Sequence, residues 1–361
     1  MREARYTQKS MGDKGEIKQR KLDHLELCAS DRVAFKEQTT LLECVRFVHS
    51  SLPELALDEI DLSLTFLGKR LSAPVVIAGM TGGHERSKEI NRGLARVAEA
   101  RGYAFGLGSQ RALLRDPSLF DTYAVREVAP TTLLFGNLGV IQARELETAA
   151  IKASLDSLGA DALCVHMNPA MELIQAEGDR DFRGGLATFT RLVRELELPI
   201  IAKETGAGIS LEIATRLHQV GVRYIDTSGA GGTSWVGVET LRAEGGRQRL
   251  GELLWDWGIP TAASIVYSVR AGHETIATGG IKNGLDIARS IALGARVAGI
   301  ARGAYQAFND GGEAGVHALF DQIETELRSI MLLVGARDLE ALRTRPKLVR
   351  GELRDYLELI G

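Results

Sequence analysis

The chain has 361 residues, 45% hydrophobic and 25% charged, with a net charge of −3. These are the values of a globular enzyme, and they offer no global positive field to nucleic acid or an anionic membrane. Cys28, Cys44 and Cys164 are odd in number and form no CxxC pair, so a disulfide framework and a zinc site are not expected, whereas a reducing, cytoplasmic compartment is.

Residues 1–18 are polar, lack the apolar stretch of a secretory signal, and are expected to be mobile. No run of about 18 apolar residues occurs, so nothing reads as a membrane-spanning helix. Residues 1–72 read as an N-terminal arm with short helices and one strand, LSLTFLG, closing at Gly68.

From Pro74 a pattern repeats. Short apolar, β-branched runs begin at Pro74, Tyr103, Thr132, Ala162, Pro199, Tyr224, Thr275 and Arg296, and the first four lie 29, 29 and 30 residues apart, the size of a βα unit. Between them run helical faces: Ile90, Leu94, Val97 and Ala98; then Ile287, Ala288, Ile291 and Ala292; and after the last run Val316, Leu319, Phe320, Ile323 and Leu327. Continuous rather than alternating apolar strands indicate a parallel sheet buried on both faces. Eight units without a GxGxxG after the first strand predict an α/β chain with a closed (β/α)8 TIM barrel over 73–340, followed by a C-terminal helical tail at 341–361. The longer gaps after strands four and six predict insertions on the C-terminal face, where such barrels keep their sites.

Glycine is over-used, 40 residues where average usage gives about 25. Three clusters follow strand ends: Gly79-Met80-Thr81-Gly82-Gly83, Ser228 to Trp235, and Gly279-Gly280 with Gly284 before a helix, the last paired with Ala301–Gly303 after strand eight. The late pair predicts a phosphate held by backbone N–H groups at a helix N-terminus, or else simple tight turns. Lys203 ends an apolar strand and calls for an anion, an electron-rich ligand edge or a salt bridge to Glu204. Asn137 ends strand three and suits the same ligand. Arg20, Lys21 and His24 with Arg111 could grip a second phosphate, although Arg20-Lys21 alone would read as a solvated pair. His166, Asn168 and Glu172 suit a hydrated Mg2+ with a diphosphate, or else a helix cap beside an exposed carboxylate.

Taken together the motifs resemble type 2 isopentenyl diphosphate isomerase. The resemblance rests on RKLDH, RFVHSSLPEL, APVVIAGMTGG, GLGSQR, GNLG, VHMN…E…EGDRDF, IAKETGAG, SGAGGTSW, WGIPTAAS, ATGGIKNGLD and GIAR, from about residue 19 to beyond 335. It implies FMN and Mg2+, NADPH as flavin reductant, a homo-oligomer (tetramer or octamer), and interconversion of isopentenyl and dimethylallyl diphosphate. Carried over by motif, FMN would meet Gly79, Met80, Thr81, Ser109, Asn137, Lys203, Ser228 and Thr233, with its phosphate at Gly279, Gly280, Lys282, Ala301 and Arg302. Substrate diphosphate would meet Arg20, Lys21, His24, Arg111 and Asn168, with Glu172 on the metal.

One position departs. The family pattern H-L-N-x-x-Q-E reads here His166-Met167-Asn168-Pro169-Ala170-Met171-Glu172, so Met171 stands where the glutamine would meet the alkene. A thioether donates neither proton nor hydrogen bond. No side chain is an obvious strong acid for an unactivated alkene, which leaves reduced flavin as the acid/base. Alternatives are a relative with altered flavin chemistry on a prenyl-type diphosphate, a 2-hydroxy-acid oxidase, which would want a late His–Arg pair, or a silent flavin-binding barrel.

Overall fold

A computed structural model describes residues 20–359 of the chain; the expectation for 1–18 lies outside them. Eight parallel strands, Val75–Ile77, Ala104–Gly106, Leu133–Gly139, Ala162–His166, Ile200–Lys203, Tyr224–Asp226, Glu274–Ala277 and Val297–Ile300, form a closed barrel. They are numbered one to eight below. Strand eight pairs with strand one, Gly299 opposite Val76, which closes the ring. Each strand starts within a residue of its expected position because a β-branched apolar run is what a sheet covered on both faces requires.

The covering helices bury the faces read from the sequence. In the helix Glu85–Arg101, Ile90, Leu94, Val97 and Ala98 are all buried, and Gly102 ends it in the left-handed region. Burying one such leucine contributes about 1.5–3 kcal/mol. The last helix, Arg302–Leu333, breaks its regular geometry at Gly312.

The arm does more than one strand predicts. Leu64–Phe66 and Lys69–Leu71 form an antiparallel hairpin whose two turn residues, Leu67 and Gly68, both have positive φ, the primed turn that matches strand twist. Its Phe66 and Leu71 join the inward-facing cluster of Val76, Ala104, Leu133, Phe135, Ala162, Cys164, Ile201, Ile276 and Val297, so the hairpin plugs one end of the barrel. Lys69 anchors it through Asp161 at 2.8 Å. A third arm strand, Val45–Phe47, pairs with Lys347–Val349, joining arm and tail in one small sheet.

At the strands' C-terminal ends lie the helix Pro169–Ile174 after strand four and the helices Trp235–Thr240 and Gly245–Leu253 after strand six, packed together around Ala170, Ile174 and Val236. The arm helix over residues 20–28 lies on the same end. Among the described residues no helix is long and apolar enough to cross a membrane.

Candidate active site

The barrel's C-terminal end opens into a cavity of about 560 Å³. Every residue carried over by motif lines it except Thr81. The Thr81 hydroxyl is instead 2.8 Å from Ser87 Oγ, and its carbonyl accepts from Gly108 N–H and Asn91 Nδ2. Through these bonds Thr81 ties the first loop to the next strand and helix.

One wall is cationic. Arg20, Lys21 and His24 share a face of the arm helix, and Arg111 approaches from strand two's loop. Burial, then the charges of Arg20 and Arg111, lower the Lys21 ammonium to about 8. Arg111 Nε is buried without a hydrogen-bond partner among the described residues. His24 is held below its usual imidazole range chiefly by burial, and its Nε2 meets Glu239 Oε1 at 2.8 Å. Glu239 also accepts from Arg242 Nη1 at 2.7 Å, and Arg242 Nε donates to Asp23 at 2.9 Å, clamping the arm helix to the insertion after strand six.

A second candidate anion grip lies at strand eight, at Ala301 and Arg302, where the resemblance also sets a phosphate. The helix Gly284–Ala292 has its first amides taken: Asn283 Oδ1 accepts from Asp286 N–H at 2.9 Å, Glu326 from Gly284 N–H at 2.8 Å, and Asp286 from Lys282 N–H at 3.1 Å. The helix Arg302–Leu333 starts on Ala301, which supplies no side-chain cap. Its open N–H end lines the cavity at Ala301, Arg302 and Gly303, and Arg302 Nη1 is buried without a partner among the described residues. Uncapped amides, the helix dipole and an orphan guanidinium nitrogen fit a phosphate monoester.

The glycine clusters have a further cause. A Cβ at Gly232 would come within 2.3 Å of Gly280 N, one at Gly279 within 2.2 Å of Gly229 O, and one at Gly231 within 2.2 Å of Thr40 N. The loops after strands six and seven pack backbone on backbone, so several glycines serve loop against loop rather than loop against ligand.

The barrel's upper polar row follows from register. His166 pairs with Lys203 and Lys203 with Asp226 across strands four, five and six, so the three side chains share one face. Lys203 Nζ lies 2.8 Å from Asp226 Oδ2, and the Thr278 hydroxyl donates to Asp226 Oδ1. Ser228 N–H in turn donates to Thr278 Oγ1 at 2.9 Å, holding Ser228 at φ +34°. Glu204, the partner weighed from sequence, points elsewhere because successive residues alternate. Its carboxylate accepts from Thr205 and Ala207 N–H, and burial raises it to about 7. His166 Nδ1 is 2.8 Å from Asn137 Oδ1, while Asn137 Nδ2 donates to Leu107 O. That assignment makes Nδ1 the protonated nitrogen. Burial, then Lys203, Lys21 and Arg111, push His166 down to about 3, so it is neutral.

After strand four, Asn168 Nδ2 donates to Glu172 Oε1 at 2.9 Å and reaches the Met171 sulfur at 3.7 Å. Asp179 N–H donates to Glu172 Oε2 at 2.7 Å, and Arg180 braces the turn through the carbonyls of Glu172 and Gln175. Glu172 is thus buried and aimed, not an exposed helix-start carboxylate. The described residues contain no cluster of three or more His, Cys, Asp or Glu that could hold a metal. One carboxylate still fits Mg2+, which takes one or two carboxylates and fills its shell with substrate oxygens and water.

Sequence reading missed Asp226 and Glu239, and also Gln142 and Gln175, which line the cavity. A charged residue inside an otherwise apolar strand (YID) was the available signal for Asp226. Glu239 carried none, because its partner His24 is 215 residues away.

The family pattern of FMN-dependent dehydrogenases matches residues 14–168 and 173–350, breaking over the turn that carries Met171 and Glu172. An isopentenyl-diphosphate delta-isomerase of Methanosarcina mazei is 45% identical over 347 residues, covering 95% of this chain and 94% of the relative. One of Methanothermobacter thermautotrophicus is 45% identical, covering 96% and 97%. Among solved structures, a lactate oxidase of Pediococcus acidilactici superposes with a TM-score of 0.66 at 16% identity, covering 94% of each chain. A mandelate oxidase gives 0.63 at 18%, covering 93% of this chain and 99% of its own. At that identity the two oxidases show the shared barrel alone.

Proposed function

The chain belongs to the type 2, FMN-dependent isopentenyl-diphosphate delta-isomerase family, and from that premise we propose that it isomerises isopentenyl diphosphate to dimethylallyl diphosphate with FMN and Mg2+. The observation that carries the reading is the pairing, in one cavity, of two separate anion grips: the uncapped helix end with Arg302, and the Arg20, Lys21, His24 and Arg111 wall. A flavin phosphate and a substrate diphosphate need one each.

In this reading Ala301, Arg302 and Gly303 hold the flavin phosphate, with the Gly279–Gly280 loop beside them. Lys203, Asn137 and Ser228 face the ring. When bound and reduced, with NADPH as the reductant, FMN supplies the acid and base that no side chain here offers. Arg20, Lys21 and Arg111 would bind the diphosphate, and Glu172 would hold the Mg2+ that offsets its charge. His24, through Glu239, closes the arm helix over the substrate and keeps water out. Asn168 orients Glu172, and neutral His166, with its proton on Nδ1, presents Nε2 as a hydrogen-bond acceptor.

The test is to incubate the protein with FMN, reductant, Mg2+ and isopentenyl diphosphate and follow the allylic product by proton NMR. Dimethylallyl diphosphate formed only with reduced flavin supports the reading, and flavin binding without any allylic product defeats it. Met171 favours a second reading, action on a different prenyl-type diphosphate, because a thioether replaces the amide at the alkene position. Turnover of a longer prenyl diphosphate with isopentenyl diphosphate inert would establish it.

A further inference from the structure

Lys203 faces the cavity, yet its charge is not free. Its ammonium and the Asp226 carboxylate are 2.8 Å apart with side chains only 11% and 6% exposed, and Asp226 takes a second bond from Thr278. Aligned register on adjacent strands fixes both groups on one face. Screening by salt is weak at such burial.

We propose that Asp226 is a positioning residue that sets the field Lys203 exerts on a flavin in the cavity, and so sets that flavin's reduction potential; this rests on the FMN reading above. A cation near the ring favours the negative charge that accumulates on reduction. A carboxylate in contact with that cation offsets most of its field and directs Nζ along one bond. The strand five–six pair therefore presents a near-neutral polar row, which favours neutral reduced flavin over the anion. That suits chemistry in which flavin must both give and take a proton with no net redox change.

The Asp226–Thr278–Ser228 chain extends the same control. Ser228 keeps its positive φ through a bond to Thr278, which itself bonds Asp226. One carboxylate thus governs both a charge and a loop that line the cavity.

The experiment loads wild type, Asp226→Asn, Lys203→Met and the double variant with FMN. It measures affinity by fluorescence quenching, two-electron potential by dye equilibration at pH 7, and the spectrum of the reduced protein. Asp226→Asn should raise the equilibrium constant for reduction by about tenfold or more, about 30 mV for a two-electron couple, and shift the reduced spectrum toward the anion. Lys203→Met, leaving Asp226 unpaired, should lower the potential, and the double variant should return toward wild type. If Asp226→Asn does not fold, the rise from Lys203→Met to the double variant carries the test. Potentials that coincide within either pair while FMN binds normally overturn the proposal. A wild type that takes up no FMN overturns the flavin reading itself.

Discussion

His24 on the arm helix and Glu239 on the insertion after strand six meet at 2.8 Å, joining segments 215 residues apart over the cavity mouth. Beside them Asp23 bonds Arg242, so the arm that carries Arg20 and Lys21 is held by two contacts to the short helix Trp235–Thr240 and the turn after it. Glu239→Gln removes the charge that Arg242 and His24 share. A hydrogen bond to a charged group is worth about 1.5–3 kcal/mol, so KM for the diphosphate should rise at least about tenfold with kcat changed less. An unchanged KM would mean the clamp does not position the cationic wall.

Lys21 predicts a pH dependence. Burial and its two arginine neighbours hold its ammonium at about 8, below the usual lysine range. Only the protonated form attracts a diphosphate. KM should be flat below pH 8 and climb above it, by up to about tenfold per unit. Lys21→Gln should give a higher, flat KM; a wild-type KM flat to pH 9.5 would contradict the assignment.

Glu172 is bonded on both oxygens, so its substitution tests the metal and the turn separately. Glu172→Gln keeps an acceptor for Asn168 but sets an amide against Asp179 N–H. The Mg2+ half-saturation should rise about tenfold or more, for loss of the hard anionic ligand. Identical Mg2+ titrations of both proteins would remove Glu172 from the metal's shell.

Met171 tests how much of the chemistry the missing amide carries. A lost neutral hydrogen bond is worth about 0.5–1.5 kcal/mol, so Met171→Gln should speed isomerisation by roughly tenfold or less. General acid–base catalysis by the amide would instead make the gain about 100- to 10,000-fold. A wild type inactive on isopentenyl diphosphate, beside a strongly active variant, would assign the natural protein another substrate.

Acid stability follows from buried histidines. Burial lowers His24, His166 and His273, His166 to about 3, while the unfolded chain titrates near 6.5. The unfolded state then binds more protons below pH 6.5, so stability falls as pH drops from there toward the folded values. His273 lies outside the cavity lining, with Nε2 on Ala214 O at 2.8 Å and Nδ1 buried without a partner among the described residues. His273→Gln should flatten the fall of Tm between pH 6.5 and 4.5; an unaltered slope would show that His273 does not contribute.

The barrel was legible from the chain alone because eight apolar β-branched runs, the first four 29, 29 and 30 residues apart, with helical faces between, allow few other solutions. Short-range chemistry was legible for the same reason: the strand ends that carry Lys203, Asn137 and Ser228 also name the face they line. What sequence could not decide were relationships set by register and by distant packing. Lys203 had Glu204 beside it in sequence, yet strand alternation turned them apart and register gave it Asp226 instead. The glycine loop before Gly284 and the Ala301–Gly303 turn read as one paired phosphate site, and only the fold shows that Asn283 and Glu326 bond amides of the first helix while the helix after Ala301 has no side-chain cap. The arm hairpin fills the barrel floor only because Phe66 and Leu71 join one cluster with inward-facing residues of strands far apart in sequence. Local pattern is written in neighbouring residues; hydrogen-bond partners and buried charge pairs depend on which distant atoms the closed barrel brings within 3 Å, and that is settled only when the chain is folded.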